Sequence, residues 1–394
     1  MNSPPLPGEF TVSPTEGEEL SQDFTFTAFR WSDDDFPVTY QYGFLSSSNT
    51  LMVIQSRSES PYAVANLPAG TTIAEPSQKK YLTCIAAIFD ALHANSTASV
   101  QVFVTQKSNA DRSDIVLSQL NSAAGTTDDR KLINALAISI VNTVSCANAP
   151  ADCGSLNRQP CSATAHTCGP CVSDLYVGED SDSNEPCFLL AAAVETPAIN
   201  AVSSCASRSD CPIWHACEAG TCILPLKRCQ SDCSGNGACL YEDARRELLP
   251  SSFACYPGNF DCHAVCHCNA GYHGDACAIS TAEFNKRCEM RRLAASNLAS
   301  VVENEDATED SVASWTTTLA AAASNSAELS VNSTDIIMVV SESILNNAAS
   351  AGVTYERMMP VLEALNSAGI AKNAEFSQQM NTLNRTVSQV SKNL

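Results

Sequence analysis

The sequence predicts a multidomain chain: an antiparallel β-sandwich, a disulfide-rich segment with little regular structure, and α-helical hairpins or a bundle. Three observations carry this. Apolar residues alternate in short runs between residues 9 and 106. Of 20 cysteines, all but Cys84 lie between Cys146 and Cys288. Apolar residues recur at helical spacing on both sides of that cysteine-rich region, and the tail is rich in Ala, Ser and Asn.

Residues 1–106 form the sandwich. Phe10 and Val12 alternate, as do Phe24, Phe26 and Ala28, then Tyr40, Tyr42 and Phe44, then Val100, Val102 and Val104. Turn signals fall between these runs: "SPTEG", "SDDDFP" and "LPAG". Short alternating strands with such punctuation argue for an antiparallel sandwich.

Residues 107–145 form a helical hairpin. A weak helix lies around Ile115 to Leu120. A stronger one spans 128–144, with Thr127 as cap and Asp128 and Asp129 in its first turn. Leu132, Ile133, Leu136, Ala137, Ile140, Val141 and Val144 give it one apolar stripe.

Three cysteine groups follow. Residues 146–204 hold Cys146, Cys153, Cys161, Cys168, Cys171 and Cys187. Residues 205–228 hold a compact knot of Cys205, Cys211, Cys217 and Cys222. Residues 229–280 hold Cys229, Cys233, Cys239, Cys255, Cys262, Cys266, Cys268 and Cys277. The first two groups have too few apolar residues for cores of their own. Bridges worth about 2–4 kcal/mol each can stand in for them.

Residues 281–394 are helical again. The stripe Ile336, Ile337, Val340, Ile344 copies the spacing of Leu132, Ile133, Leu136, Ile140, and Thr334-Asp335 repeats Thr127-Asp128. This reads as a repeat of helical hairpins split by the cysteine-rich region.

The chemistry of the cysteines narrows the function. Zinc prefers paired C-x2-C knuckles, and "CGPC" at Cys168 and Cys171 has no second knuckle. A redox pair needs a βαβ context, but its flanks read as polar loop. Structural disulfides are expected. The sequons Asn95-Ser-Thr, Asn332-Ser-Thr and Asn384-Arg-Thr fit a secreted glycoprotein carrying attached glycans.

A net charge of −21 argues against nucleic-acid partners and anionic membrane surfaces. No run of 18 apolar residues occurs, so no membrane span is expected. "MNSPPLPGEF" lacks the basic and apolar regions of a signal peptide. There is no H-E-x-x-H, G-x-S-x-G, P-loop or G-x-G-x-x-G. Five of the six histidines sit in the cysteine-rich segments and read as exposed loop residues. The expectation is a non-enzymatic protein with no metal and no cofactor. Asp33, Asp34 and Asp35 are read as a solvated acidic turn. Three adjacent carboxylates cannot all face one calcium ion without further ligands.

The spacing Cys229-x3-Cys233-x5-Cys239, then Cys266-x-Cys268-x8-Cys277, with "SGNGAC" and "CNAGYHGDAC", resembles an epidermal growth factor-like module of about fifty residues. Gly271 and Gly274 suit turns needing positive φ. The resemblance implies Cys229–Cys239, Cys233–Cys266 and Cys268–Cys277. A long insert between Cys239 and Cys266 departs from the family, and its Cys255 and Cys262 suit a loop-local bridge. Calcium-binding members carry acidic ligands before the first cysteine; "ILPLKRC" lacks them.

"TAFRWSDDDFPVTYQYGF", with Trp31, Asp33, Asp35, Pro37 and Tyr40, resembles the receptor-for-egg-jelly module of polycystin-type and sperm-surface proteins. "LPAG" and "IFDALHANSTASVQVFV" support it. The resemblance implies a fibronectin- or polycystic-kidney-disease-like sandwich on a cell surface.

Nineteen clustered cysteines cannot pair fully among themselves. With the growth-factor-like pairs, Cys255–Cys262 and two bridges within 205–222 assigned, eight remain, and their connectivity stays open. At least one of Cys84, Cys146 and Cys288 is expected to bridge outside its own group. The expected function is an extracellular structural glycoprotein, a subunit self-assembling into a cell-surface filament, flagellar hair or coat; flagellar hairs of protists also use cysteine-rich, growth-factor-like subunits. The alternative is the ectodomain of a polycystin- or egg-jelly-receptor-type adhesion or receptor protein, meeting a partner at the cell surface.

Overall fold

The computed structural model describes residues 2–46, 50–70, 72–74, 79–122, 125–179, 182–190, 204–207 and 210–392; for 72–74, 79, 109, 110, 349, 350 and 374–392 the backbone alone is described. The chain divides into two compact units. The first joins Met1–Asn142 to Asn285–Leu394, and the second is Thr143–Phe284. The chain is thus multidomain, with β-sheets, helices and a disulfide-rich segment.

The first unit opens with β1 (Glu9–Ser13), β2 (Glu16–Glu18), β3 (Asp23–Phe29), β4 (Thr39–Leu45), β5 (Leu51–Ser58), β6 (Tyr62–Asn66), β7 (Thr72–Ala74), β8 (Lys79–Phe89) and β9 (Asn95–Thr105). One sheet has the order β1-β3-β6. The other runs β2-β9-β8-β4-β5, with β7 also on β8. Alternation decides which side chains face inward. In β3, Phe24, Phe26 and Ala28 are buried while Asp23 and Phe29 are exposed. The two sheets share one core. Phe10 and Phe26 of the first meet Tyr42 of the second at ring-centroid distances of 6.2 and 5.9 Å.

One pair, β2 with β9, runs parallel, unlike the antiparallel pairing expected. The chain changes sheet at Ser13-Pro14, between β1 and β2. Proline has no N–H to continue the β1 ladder, so the strand ends there.

Six helices complete the described part of this unit: α1 (Asn109–Asn121), α2 (Thr127–Asn142), α3 (Thr281–Asn304, which begins in the second unit), α4 (Glu309–Ala323), α5 (Val331–Ser350) and α6 (Tyr355–Lys392). The cap of α2 is Thr126, one residue before the expected Thr127. Its Oγ1 accepts from Asp129 N at 3.2 Å, while Asp129 Oδ2 accepts from Thr126 N at 2.8 Å. That reciprocal pair satisfies two groups at once, and Thr127 has no such partner. Likewise Ser330, not Thr334, caps α5, accepting from Ser333 N at 3.2 Å.

The two similar stripes serve different cores. Leu136, Ala137, Ile140 and Val141 of α2 pack with Val116 and Leu120 of α1 and Met290 of α3. Ile337, Val340 and Ile344 of α5 pack with Leu298, Trp315, Leu319 and Val361. Both stripes are amphipathic helix faces. The spacing records that much and does not specify the partner. Among the described residues, no helix is long and apolar enough to cross a membrane.

A buried pair joins the strands to the helices. Glu19 is fully buried; its carboxylate forms an ion pair with Arg112, 2.8 Å from Nε, and accepts hydrogen bonds from Lys107 N at 2.6 Å and Ala69 N at 3.0 Å.

Among the described residues, the strands of the second unit form two-stranded pairs: β10 (Tyr176–Val177) with β11 (Phe188–Leu189), β12 (Ala216–Glu218) with β13 (Thr221–Ile223), β14 (Gly237–Asp243) with β15 (Cys262–Cys268), and β16 (Tyr272–His273) with β17 (Ile279–Ser280). Two-stranded ribbons are marginal alone in water. Cross-links hold them here.

Candidate functional site

In the growth-factor-like segment, β14 and β15 form a hairpin in which Cys239 stands opposite Cys266. That register brings both within reach of the cysteines before the hairpin. The bridges are Cys229–Cys239, Cys233–Cys266 and Cys268–Cys277, with Cα–Cα distances of 5.6, 5.4 and 5.3 Å. Cys255–Cys262, at 6.1 Å, closes a short loop inside the hairpin's long connection. Cys229, Cys233 and Cys277 are buried against Cys266, Cys268 and Ala264, so the sulfurs themselves are the core. Gly271 and Gly274 have φ of 98° and 86°, the region favouring glycine. Between Cys229 and Cys239, Ser231, Asp232, Cys233 and Ser234 all adopt φ between 46° and 54°. A left-handed turn of L-residues costs about 1–2 kcal/mol per residue. The bridges at Cys229 and Cys233 fix its frame.

The four-cysteine knot is interleaved: Cys205–Cys217 and Cys211–Cys222. Cys217 and Cys222 face each other across the β12–β13 hairpin, yet each bonds elsewhere. In the first group the pairs are Cys146–Cys161, Cys153–Cys168 and Cys171–Cys187. The two cysteines of "CGPC" therefore bond to different partners, which a C-x2-C redox couple does not do. Arg158, 1% exposed, sits among these bridges. Its guanidinium donates to the carbonyls of Gly169 at 3.0 Å, Glu179 at 3.2 Å and Glu185. Burial lowers its pKa, opposed by nearby Glu179, Asp182 and Glu185. A lone arginine in a cysteine loop gives no sequence signal of this role.

The expected long-range bridge is absent. Cys146 bonds within its own group, and Cys84 and Cys288 are free thiols. Nine bridges use eighteen cysteines, so parity is met by leaving two thiols rather than by one long-range bond. Cys84 faces the sandwich core from β8 and is fully buried. Burial pushes its thiol up to about 12. It behaves as a small apolar residue. Cys288 lies on α3, and burial together with nearby Glu328 pushes it up to about 11.

A groove of about 1270 Å³ runs through the second unit. At its wall, buried Lys227 donates to Glu179 at 2.8 Å and to the Cys262 carbonyl at 2.8 Å, while His263 Nδ1 lies 3.3 Å from Glu179. Asp232, Glu242 and Arg246 line the same groove. Its lining carries acidic and basic side chains together. This contact ties the 146–204 segment to the growth-factor-like segment. His215 departs from the exposed-loop expectation: it is 3% exposed, with Nδ1 3.0 Å from the Ile213 carbonyl.

Asp33 and Asp35 do meet a third carboxylate, but it is Asp90 rather than Asp34. Ligand oxygens of Asp33, Asp35 and Asp90 lie within 4.8 Å of one another. Asp90 comes from the turn after β8, distant in sequence, so the local run "DDD" could not show it. Its acceptors are used: Oδ1 takes Leu92 N and Ala94 N at 2.8 and 2.9 Å, and Oδ2 takes Asn2 Nδ2 at 2.7 Å. Calcium takes about 6–8 oxygens, from carboxylates, carbonyls and waters together, and the trio brings one oxygen of each of three carboxylates to one place.

Asn95 is the exposed first residue of β9, and exposed Asn332 is in the first turn of α5. Asn384 lies on α6, where side chains are outside the described residues.

No curated protein matches the chain. Residues 1–135, spanning both sheets, α1 and the start of α2, match the family model of the REJ domain.

Proposed function

We propose that the chain is part of the ectodomain of an adhesion or receptor protein of the polycystin or egg-jelly-receptor type, and that it is a non-enzymatic extracellular glycoprotein. The observation that carries this is the REJ-domain match over residues 1–135. The disulfide-rich unit supports it, because bridges of this density persist in oxidising, extracellular surroundings. The same match favours the receptor reading over a filament, flagellar hair or coat subunit, for which the fold offers no support. On this reading the two packed sheets of residues 1–106 serve as a fibronectin- or polycystic-kidney-disease-like sandwich, and the second unit supplies cross-linked modules that hold their shape with little core.

Two measurements test the reading. An antibody against the first unit should label intact, unpermeabilised cells. Negative-stain images of the native protein should show dispersed particles. Regular polymers would return the subunit reading, and labelling only after permeabilisation would defeat both.

A further inference from the structure

We propose that Asn95 carries an N-linked oligosaccharide whose first sugar packs on the ring of Phe89, making the modification part of the sheet surface; this rests on the extracellular reading above.

The register places the groups together. β8 and β9 pair antiparallel, with Phe89 opposite Asn95 and Ala87 opposite Thr97. Directly opposed residues point to the same face, with Cβ atoms about 4.5–5.5 Å apart. Ile88 and Ala86 turn into the core, so Phe89, Asn95 and the sequon hydroxyl residue Thr97 share the outer face. Asn95 is exposed and Phe89 is half-buried.

The ring is already held from its other side. Strand order puts β4 and β5 on one flank of β8 and β9 on the other. From the β5 side, the Arg57 guanidinium stands 4.6 Å from the Phe89 centroid. Arg57 is itself fixed: it donates to Thr39 Oγ1 at 2.5 Å, to the Asp90 carbonyl at 2.7 Å and to His93 Nδ1 at 2.8 Å. The turn leading into Asn95 is fixed by Asp90 Oδ1, which accepts from Leu92 N and Ala94 N. Both the asparagine and the platform are therefore preorganised, and little ordering entropy is lost when a sugar docks. N-acetylglucosamine presents a face of C–H groups. An aromatic face is electron-rich and apolar, so the two are complementary. Asn332 has no such setting: its exposed neighbours on α5 are Val331 and Asp335.

The test uses the full chain secreted from glycosylating cells, with peptide mapping and thermal midpoints. Asn95→Gln should lower the midpoint by about 2–4 °C. In a Phe89→Leu chain, which keeps apolar cover but loses the ring, the same change should do less than half of that. Asn332→Gln should shift it little. Should Phe89→Leu misfold, enzymatic trimming of the unsubstituted chain decides instead: leaving one N-acetylglucosamine should keep the midpoint, and full removal should lower it. An equal shift with and without the ring overturns the proposal and leaves the extracellular reading standing. So does an unmodified Asn95 beside a glycosylated Asn332. No glycan at any sequon, together with free thiols throughout, overturns both.

Discussion

Arg291 and Glu328 form a buried ion pair, Nε to Oε2 at 2.6 Å, with both side chains 1% exposed. Arg287 Nε meets the other carboxylate oxygen at 2.6 Å. Arg291 also donates to the Ala322 carbonyl at 3.0 Å and to Asn142 Oδ1 at 2.8 Å. One glutamate thus serves two arginines from α3, and the cluster reaches the last residue of α2. Burial lowers the pKa of Arg291, and Glu328 opposes the shift.

Glu328→Ala should therefore be among the costliest substitutions in the first unit. It strands two arginines, and breaking a buried pair costs about 3–5 kcal/mol. Replacing Arg291 and Glu328 together by Met and Leu should cost less, because no charge is left behind at that pair. Denaturant unfolding of both variants checks the order; an equal or smaller loss in the single variant would show that stranded charge is not what Glu328→Ala costs.

The thiols give a second expectation. Cys84 and Cys288 are the free pair, pushed up to about 12 and about 11. At pH 8 the folded chain should resist an alkylating reagent, and in denaturant two sites per chain should react. An acid with a raised folded value stabilises the fold below its unfolded value and loses that contribution as pH rises through the folded one. Both groups therefore add nothing to pH dependence near neutrality and weaken the fold from about pH 9 upward. Rapid labelling of folded Cys84 at pH 8 would show that its strand opens readily.

How much of this was legible depended on distance along the chain. Alternation at Phe24, Phe26 and Ala28, and the cysteine spacing around Cys229 to Cys277, are local patterns, and the structure repeats them. The cap at Thr126 was missed by one residue, because Thr126 and Thr127 are chemically alike and only the bond back from Asp129 separates them. The carboxylate trio needed Asp90, brought to Asp33 and Asp35 by pairing of β4 with β8. Arg158 was silent, since its partners are backbone carbonyls that no residue type announces. The fates of Cys84 and Cys288 turned on parity. Parity says how many thiols remain over and says nothing of which strand buries them.

Reduction should separate the two units. The second unit holds all nine bridges found among the described residues, and in its growth-factor-like segment the sulfurs are the core. The loops closed by Cys146–Cys161 and Cys153–Cys168 span 15 residues each, worth about 3 kcal/mol apiece by the chain-entropy argument. Under strong reductant the second unit should lose its amide protection from hydrogen exchange, while β3, β8 and β9 keep theirs. Loss of protection in those strands at the same reductant concentration would show that the sandwich depends on the bridges.

The last expectation concerns Asp33, Asp35 and Asp90. Calcium sites in extracellular modules bind at about 10⁻⁴–10⁻³ M. At that affinity, 5 mM calcium, roughly 5–50 times the dissociation constant, would stabilise the fold by about 1–2 kcal/mol, a readily measured shift in midpoint. No shift is expected, because Asp90 already accepts from two backbone amides and from Asn2. Removing those acceptors should matter more than adding an ion. Asp90→Ala leaves the amides of Leu92 and Ala94 without their acceptor and should cost about 1–3 kcal/mol. Asp90→Asn keeps one oxygen for both amides and should cost less. A calcium-dependent rise in midpoint that Asp90→Asn abolishes would make the trio a cation site and reverse this assignment.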